Sequence, residues 1–327
     1  MRRREFITLL GCAAAACPRA ARPQPSVPVI GFLNSGTPQD YVPQLEGFRQ
    51  GLREIGYTEG QNVTIEFRWA ETQYDRLPGL AADLDRRQVA VIVATGGAVS
   101  AIAAKSATAT IPIVFTLGGD PVQVGLVASL NRPGGNVTGV TLFNSTLAAK
   151  RLELLHELVP TAGVVAMLIN PANPNIESVT RAVEAEAPRI GLQIVVLKAS
   201  SAAEIKTAFG TLSQHKVQAV LVGGDAAFDT SWRDQILALT ARYAVPAMYN
   251  WRDIALAGGL ASYGSSFAEG YRLAGIYTGR ILRGERPADL PVQQPTKFEF
   301  VINLKTAKAL GLKISNQMQL IADEVIE

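Results

Sequence analysis

Polar side chains and glycines follow the predicted buried strands of this sequence, at the point where each strand ends. Carboxylates can accept hydrogen bonds from a ligand ammonium, hydroxyls and backbone N–H groups can bind a carboxylate, and a tyrosine ring offers a stacking surface. This chemistry suits the binding of a small molecule. The candidate residues are Asn34, Ser35, Thr95, Gly96, Gly97, Thr116 and Asp120 in the first half, and Asn170, Asp225, Tyr249 and Asn250 in the second.

The same Gly-Gly-Asp sequence ends a predicted strand in each half of the chain, at 118–120 and at 223–225. We single out Asp120 as the main contact to a ligand ammonium and Asp225 as a further candidate. The alternative for both is capping of the next turn, which is the usual role of Asp at such a place. For the hydroxyl and glycine candidates the alternative is a turn or a helix N-cap.

The sequence offers little for catalysis. His156 lies on the flank of a helical core stripe and His215 near a helix C-terminus, and neither has a partner at metal-ligand spacing. We find no nucleophile elbow, no phosphate-binding loop and no dinucleotide fingerprint. No cofactor, no metal and no enzymatic activity are therefore expected. The alternative that stays open is an exported α/β enzyme that uses Asp120 and Asp225 as an acid–base pair across a cleft.

Residues 1–24 predict a cleavable export signal. Arg2 to Glu5 form a basic segment, and the apolar stretch 6–17 is far short of the ~20 residues that span a bilayer. The start also resembles a twin-arginine export pattern. Both cysteines, Cys12 and Cys17, fall in this leader, where a lipidation site is conceivable but poorly matched.

The positive charge of the chain belongs to this leader. It contains five arginines and one glutamate, so the remaining chain has 26 basic and 27 acidic residues. A nearly neutral chain gives no sign of a nucleic-acid-binding surface. The protein outside the leader also has no cysteine, which excludes disulfides and thiolate chemistry there.

Buried apolar runs alternate with helical patterns along the whole chain. Val89–Ala94 and Gly163–Ile169 are typical of central strands, and the helical face of Leu45, Phe48 and Leu52 precedes a stop at Gly56. The alternation predicts parallel sheets covered by helices on both faces. Ligands of such sheets bind beyond the carboxyl ends of the strands, where the polar residues lie.

We interpret the Gly-rich stretch Asn131–Thr141 as the first crossing between two α/β lobes. An ordinary loop inside one larger sheet is the alternative. Leu260–Ser265 resembles a second crossing, and Gly284–Pro295 could hold a third. The predicted lobes are 27–140 plus about 267–327 for the first, and 141–266 for the second.

Several motifs together are familiar from one family. They are Asp120-Pro121-Val122, the run Asn-Arg-Pro-Gly-Gly-Asn-Val-Thr-Gly at 131–139, Arg68-Trp69-Ala70-Glu71, Tyr74-Asp75-Arg76-Leu77 and the Gly-rich segment 257–264. With them, the sequence resembles the exported substrate-binding proteins of ABC transporters in the tryptophan/tyrosine-type family, over essentially its whole length. The leader departs from the family at Arg22-Pro23-Gln24, which leaves the mature N-terminus open.

The resemblance implies a type I periplasmic binding protein fold, with two doubly wound parallel-sheet lobes joined by a three-strand hinge. Such lobes close on a solute. It also implies a periplasmic location and a partnership with ABC permease subunits of the inner membrane. The solute is expected to be an amino acid or another small carboxylate, with an aromatic side group by family analogy.

The protein is expected to be a monomer. A ligand sensor that signals to a membrane kinase is the alternative to transport. Trp69 and Glu71 belong to a family-like motif, and they either contact the ligand or hold the first lobe together.

Overall fold

The computed structural model describes residues 27–143, 146–294 and 298–327. These residues form two α/β lobes, each built on its own sheet, which confirms the predicted fold class. The predicted leader at 1–24 lies outside the described residues.

The first lobe contains a five-stranded parallel sheet with the strand order β2-β1-β3-β4-β5. Its strands β3, β4 and β5 are buried along their whole length because helices cover both faces. Short 3-10 turns at Pro38–Tyr41 and Tyr74–Arg76 lead into the first two helices. The elements are β1 (Val29–Asn34), α1 (Val42–Glu54), β2 (Thr64–Trp69), α2 (Leu77–Arg86), β3 (Val91–Thr95), α3 (Ala98–Ala107), β4 (Ile113–Leu117) and β5 (Val137–Thr141).

The second lobe contains a seven-stranded sheet with the order β12-β11-β10-β9-β8-β6-β7, and among these described strands the β10–β11 pair is antiparallel and the other pairs are parallel. Its first continuous run of elements is α4 (Ala148–Leu158), β6 (Val164–Ile169), α5 (Ile176–Glu186), β7 (Gln193–Lys198), α6 (Ala202–Gly210), β8 (Ala219–Val222), α7 (Ala226–Asp229), α8 (Arg233–Arg242), β9 (Ala247–Tyr249), α9 (Arg252–Leu256) and β10 (Ala261–Ser265). Next along the chain is α10 (Phe267–Leu282), which packs on the first lobe. The second lobe then continues with β11 (Phe298–Asn303), α11 (Leu304–Ala309), α12 (Asn316–Ile321) and β12 (Glu324–Ile326).

The order of the described elements gives three passages between the lobes, but they are displaced from their predicted places. Val137–Thr141, predicted as part of the first crossing, is β5 and pairs with β4, so the chain leaves the first sheet only after it. Leu260–Ser265, predicted as the second crossing, contains β10 of the second sheet, and the chain crosses from there into α10. The third passage follows Gln293, which bridges Val140, and leads to β11.

The C-terminal segment belongs to the second lobe, so its assignment to the first lobe was wrong. β11 pairs antiparallel with β10, and β12 pairs with β11, so residues 298–327 extend the second sheet. Only α10 and the segment up to 294 return to the first lobe. The periodicity of the sequence identifies a closing strand but does not tell which strand it pairs with.

Helix α10 is fixed to the first lobe by direct backbone packing against α1. A Cβ atom at Gly51 would lie 1.9 Å from the carbonyl oxygen of Arg272, and one at Gly275 would lie 2.2 Å from that of Phe48. No side chain fits at either position. We call this contact of Gly51 and Gly275 the glycine seam. It makes α10, the helix that starts at the second crossing, part of the first lobe.

Apolar side chains fill the space between the sheets and their helices in both lobes. In the first lobe, Phe32, Phe48 and Val93 pack beneath α10. Within the described ranges, none of the helices combines the length and the apolar character needed to cross a bilayer.

Candidate functional site

A cavity with about 690 Å³ of empty space, partly open to solvent, lies between the two lobes. The first lobe contributes the carboxyl ends of β3 and β4 and the start of α3. The second lobe contributes residues 173–175 and 224–226, together with Asp229 and Trp251. The cavity therefore lies where ligands of open α/β sheets bind.

Four of the predicted site residues line this cavity: Gly96, Gly97, Thr116 and Asp225. Asn34, Ser35 and Thr95 lie one layer behind them, and each is buried. Asn34 Nδ2 donates to Thr95 Oγ1 at 2.8 Å, and Ser35 Oγ donates to the carbonyl of Gly96 at 2.5 Å. These residues fix the turn at 96–97 instead of facing the cavity.

Two of the second-lobe candidates, Asn170 and Asn250, also lie behind the residues that line the cavity. Asn170 Nδ2 donates to Asp225 Oδ1 at 3.1 Å, and Asn250 Nδ2 donates to Asp229 Oδ1 at 2.9 Å. Both asparagines therefore position carboxylates. Tyr249 is buried in the core with its hydroxyl 3.1 Å from that of Thr240, so it does not offer the predicted stacking surface.

Asp120 is the main correction to the predicted site, because it does not line the cavity. Its Oδ1 accepts hydrogen bonds from the backbone N–H groups of Val122 at 2.8 Å and Gln123 at 3.3 Å. This is the turn-capping role that stood as the alternative. The suggested acid pair of Asp120 and Asp225 across the cavity does not form. In the described part of the chain, no group of three or more His, Cys, Asp or Glu is placed to hold a metal ion.

Asp225 faces the cavity, but the protein itself uses its hydrogen-bonding capacity. Oδ1 accepts from Asn170, from the backbone N–H of Ala227 at 3.1 Å and from the Tyr74 hydroxyl at 3.4 Å. Oδ2 accepts from Asn173 Nδ2 at 3.2 Å. Burial raises the pKa of Asp225, and these hydrogen bonds oppose the rise. Asp225 is thus the N-cap of α7 as well as part of the cavity wall.

Asp229 was missed at the sequence level and lines the same wall. The hydrogen bond from Asn250 engages its Oδ1. Burial raises the pKa of Asp229 to about 7, while the hydrogen bond from Asn250, the indole N–H of Trp251 and the charge of the buried Arg151 act in the opposite direction. The sequence feature that could have pointed to Asp229 is its spacing of four residues from Asp225, because this spacing brings two acids to the same side of one short helix.

The charges around the cavity favour a cation on the second-lobe side. Asp225 and Asp229 line it, whereas its described lining includes no Lys, Arg or His. Arg151 lies behind the wall, 1% exposed, and donates to the carbonyl of Tyr263 at 3.2 Å. Burial lowers the pKa of Arg151 to about 10, so it stays charged at neutral pH and compensates one carboxylate.

The first-lobe side of the cavity presents backbone N–H groups. Gly97 is the N-cap of α3 and provides no capping side chain, and Ala98 and Val99 of its first turn line the cavity. The first N–H groups of a helix have no partner inside the helix, and the helix dipole favours a negative charge there. This side therefore suits a carboxylate.

An aromatic pair closes one end of the cavity. The rings of Trp251 and Phe267 are stacked, with centroids 4.4 Å apart and an angle of 17° between their planes. Both line the cavity, together with Leu117 and Leu142. Sequence reasoning missed the pair because isolated aromatic residues also fit ordinary core positions.

Trp69 and Glu71 do not line the cavity, and they hold the first lobe together. The Trp69 ring packs within 6.1 Å of the rings of Phe32, Tyr41 and Phe67. Glu71 forms an ion pair with Arg76 at 2.8 Å. The described contacts of both residues are thus with other residues of the first lobe.

Contacts around the cavity join the two lobes. The Tyr74 hydroxyl donates to Asp225, and Ser231 Oγ of the second lobe donates to Asp40 Oδ2 of the first at 2.5 Å. Asn175 packs so closely on Gly119 that a Cβ atom there would lie 2.3 Å from its side-chain amide. The lobes are therefore in a closed arrangement.

Known proteins resemble this chain in sequence and in fold. The profile of the family described as ABC transporter substrate binding protein matches residues 33–326. A tyrosine-binding protein of Clostridioides difficile is 29% identical over 271 residues, which cover 82% of this chain and 76% of that protein. The ABC domain from Streptococcus pneumoniae in complex with L-Trp is 27% identical and superposes with a TM-score of 0.83, covering 92% of this chain and 100% of the other.

A further solved structure shares the fold of this chain but has its lobes in an open arrangement. The ligand-free, open structure of a substrate-binding protein from Clostridium difficile is 25% identical and covers 92% of this chain and 99% of its own. Its TM-score is 0.65, lower than that of the tryptophan complex at a similar identity. The difference agrees with the cross-lobe contacts of a closed arrangement. The chain belongs to the ABC transporter substrate-binding protein family and has the type I periplasmic binding protein fold.

Proposed function

We propose that this protein binds an amino acid with an aromatic side group between its lobes and delivers it to the permease of an ABC importer. The observation that carries the proposal is the distribution of chemistry around the cavity. Carboxylates line the second-lobe side, helix N–H groups line the first-lobe side, and an aromatic pair lies at one end. An α-amino acid carries both complementary charges. The tyrosine- and tryptophan-binding relatives support the aromatic side group.

Each group of the amino acid has a proposed partner. The ammonium binds Asp229, because Asp225 already accepts hydrogen bonds from the protein through both of its oxygens. The carboxylate binds the N–H groups at the start of α3. Thr116 lines the same side, but its hydroxyl is not needed for this arrangement, since the backbone supplies the donors. The aromatic group packs on the apolar wall that includes Trp251.

The proposal also covers the location of the protein, its oligomeric state and its partners. Binding is reversible and leaves the amino acid unchanged. We propose that residues 1–24 direct export, that the protein works outside the cytoplasm as a monomer, and that its partners are ABC permease subunits of the inner membrane. Cell fractionation and light scattering test these points, and uptake of labelled amino acid by cells with and without the protein tests delivery.

The first test is calorimetric titration with L-tyrosine and L-tryptophan. Two analogues of L-tyrosine test the need for each of its charged groups. Tyramine lacks the carboxylate, and 3-(4-hydroxyphenyl)propionate lacks the ammonium. Both should bind much more weakly than L-tyrosine. A ligand at ~100 times its Kd should also stabilise the protein by about 2.7 kcal/mol in thermal unfolding. Mass spectrometry of the recovered ligand should show the unchanged amino acid.

The variant Asp229→Asn tests the ammonium partner. Removing the charge from one side of an enclosed ion pair costs about 2 kcal/mol or more, a rise in Kd of ~30-fold. The control is Asp234→Asn, because Asp234 is an acid on α8 whose side chain is 80% exposed and pairs with Arg233. Equal Kd values for Asp229→Asn and the control would refute the assigned partner.

A further inference from the structure

One hydrogen bond between the lobes lies outside the cavity. Ser231 Oγ donates to Asp40 Oδ2 at 2.5 Å, and the same oxygen accepts from Thr37 Oγ1 at 2.7 Å. Asp40 lies in the 3-10 turn that follows β1, in the first lobe, and Ser231 lies between α7 and α8, in the second. Neither residue lines the cavity. A hydroxyl that donates to a carboxylate forms a stronger hydrogen bond than one that donates to a neutral oxygen.

The position of Ser231 in the chain links this bond to the site. Ser231 comes two residues after Asp229, directly beyond the four-residue helix α7. That helix is held at its start by the Asp225 cap and within itself by Thr230 Oγ1, which donates to Ala226 O at 2.6 Å. The bond to Asp40 adds an anchor at its other end, and this anchor is on the opposite lobe.

We infer that Asp40 and Ser231 form a closure latch, which holds the lobes together and positions Asp229 on a bound ligand without touching that ligand. Thr37 orients the acceptor from within the first lobe, and Ser231 completes the contact only when the lobes approach. A group that binds one of two states shifts the population toward it by its differential interaction energy. The latch therefore raises affinity by slowing the release of the ligand.

The inference rests on the proposed function, and the test begins with the binding of L-tyrosine and L-tryptophan to the wild-type protein. In Ser231→Ala we expect Kd to rise about three- to tenfold, mainly through a faster dissociation rate, because a partly exposed bond to a charged group is lost. Ser231→Thr keeps the hydroxyl and should restore binding. Thr207→Ala is the matched control, since Thr207 donates to Ala203 within one helix of the same lobe.

A double-variant cycle separates the latch from a general structural effect. If the two residues act together, Ser231→Ala has almost no further effect in an Asp40→Ala background. Small-angle X-ray scattering of the ligand-free protein should give a larger radius of gyration for Ser231→Ala than for Thr207→Ala, at equal melting temperatures. Wild-type affinity in Ser231→Ala, or independent effects of the two substitutions, would overturn the latch.

The scattering experiment also keeps the two proposals apart. If the wild-type protein binds neither amino acid, the proposed ligand class fails, and the ligand-free scattering alone decides on the latch. A radius of gyration that does not differ between Ser231→Ala and Thr207→Ala then rejects it.

Discussion

At the scale of single residues, Asp225 and Asp229 differ in function although they lie four positions apart on one short helix. Asp225 accepts four hydrogen bonds from the protein, whereas Asp229 accepts one from Asn250, through Oδ1, with the indole N–H of Trp251 close by. A carboxylate such as that of Asp225, whose oxygens already accept hydrogen bonds from the protein, stabilises the fold. One that is enclosed and has spare lone pairs is disposed to bind a ligand, because its charge lacks solvation.

Binding should depend on pH through Asp229. Burial raises the pKa of Asp229 to about 7 in the free protein. A ligand ammonium favours the ionised carboxylate, so the pKa falls on binding, and affinity is lost as the pH drops through 7. Between pH 8 and pH 6 we expect a loss of about tenfold in affinity. Calorimetry in buffers of different ionisation enthalpy should also show proton release at pH 6.

The same experiment on Asp229→Asn is the control for this pH dependence. The variant cannot ionise at position 229, so its weaker binding should be nearly independent of pH between 6 and 8. A wild-type profile that is flat over this range would contradict the assignment of Asp229 as the ammonium partner.

Sequence reasoning placed the site at the strand ends, but the aspartate that it favoured, Asp120, does not line the cavity. Asp120 and Asp225 both follow a Gly-Gly pair at the end of a strand, and their sequences differ in what comes next. Pro121 leads into a turn that folds back onto Asp120, whereas Ala226 starts a helix that Asp225 caps. The direction of each side chain depends on these following residues. Spacing alone does not contain that information.

At the scale of elements, the glycine seam determines which lobe α10 follows. Gly51 and Gly275 bring the backbones of α1 and α10 into direct contact, and Gly47 lies against the carbonyl of Ala268 one turn earlier. Phe267 begins the same helix and lines the cavity. The aromatic wall of the site is thus attached in part to the first lobe, although its other ring belongs to the second.

Gly275→Ala should destabilise the protein by about 2 kcal/mol or more, because the added methyl group would lie 2.2 Å from the carbonyl oxygen of Phe48 and 2.9 Å from Leu52 N. Gly79→Ala is the matched control. Gly79 is also inside a helix, with no atom within 4 Å of a Cβ position, so alanine there should stabilise by about 0.5–1 kcal/mol. Urea unfolding midpoints of both variants test the difference, and equal midpoints would contradict the seam.

Most elements could be predicted, but not how distant ones pair. Buried runs such as Val91–Thr95 and Val164–Ile169 are strands as expected, because a strand with both faces covered needs a continuous apolar sequence. β5 and β10 were taken for crossings because an extended segment can either join a sheet or pass between two lobes, and its sequence does not tell which. β11 was assigned to the wrong lobe because its apolar pattern fits either sheet, and only its hydrogen bonds to β10 decide.

At the scale of the whole molecule, the contact of Gly119 with Asn175 limits how far the lobes can close. Asn175 is 8% exposed, and its Oδ1 has no hydrogen-bond partner among the described residues. The close approach therefore rests on shape and not on a hydrogen bond to that oxygen. It occurs at the edge of the cavity, so an atom added at position 119 has to displace the Asn175 side chain or the lobe that carries it.

Gly119→Ala should hold the lobes apart and weaken ligand binding about tenfold or more, since a bound ligand then loses contacts on one side. The free energy of unfolding of the ligand-free protein should change little, because the lobes can separate and so relieve the clash. Calorimetry measures the affinity, and Asn175→Ala combined with Gly119→Ala should recover part of it. Unchanged affinity in Gly119→Ala would show that closure does not require this contact.

The placement of β12 in the second sheet has a practical consequence. The first described strand, β1, belongs to the first lobe, and the last, β12, belongs to the second, so Val27 and Glu327 move relative to each other whenever the lobes do. A donor and an acceptor fluorophore at these two positions would convert closure into a change in energy transfer. The fold thus offers a ratiometric optical sensor for its own ligand, with no label near the cavity.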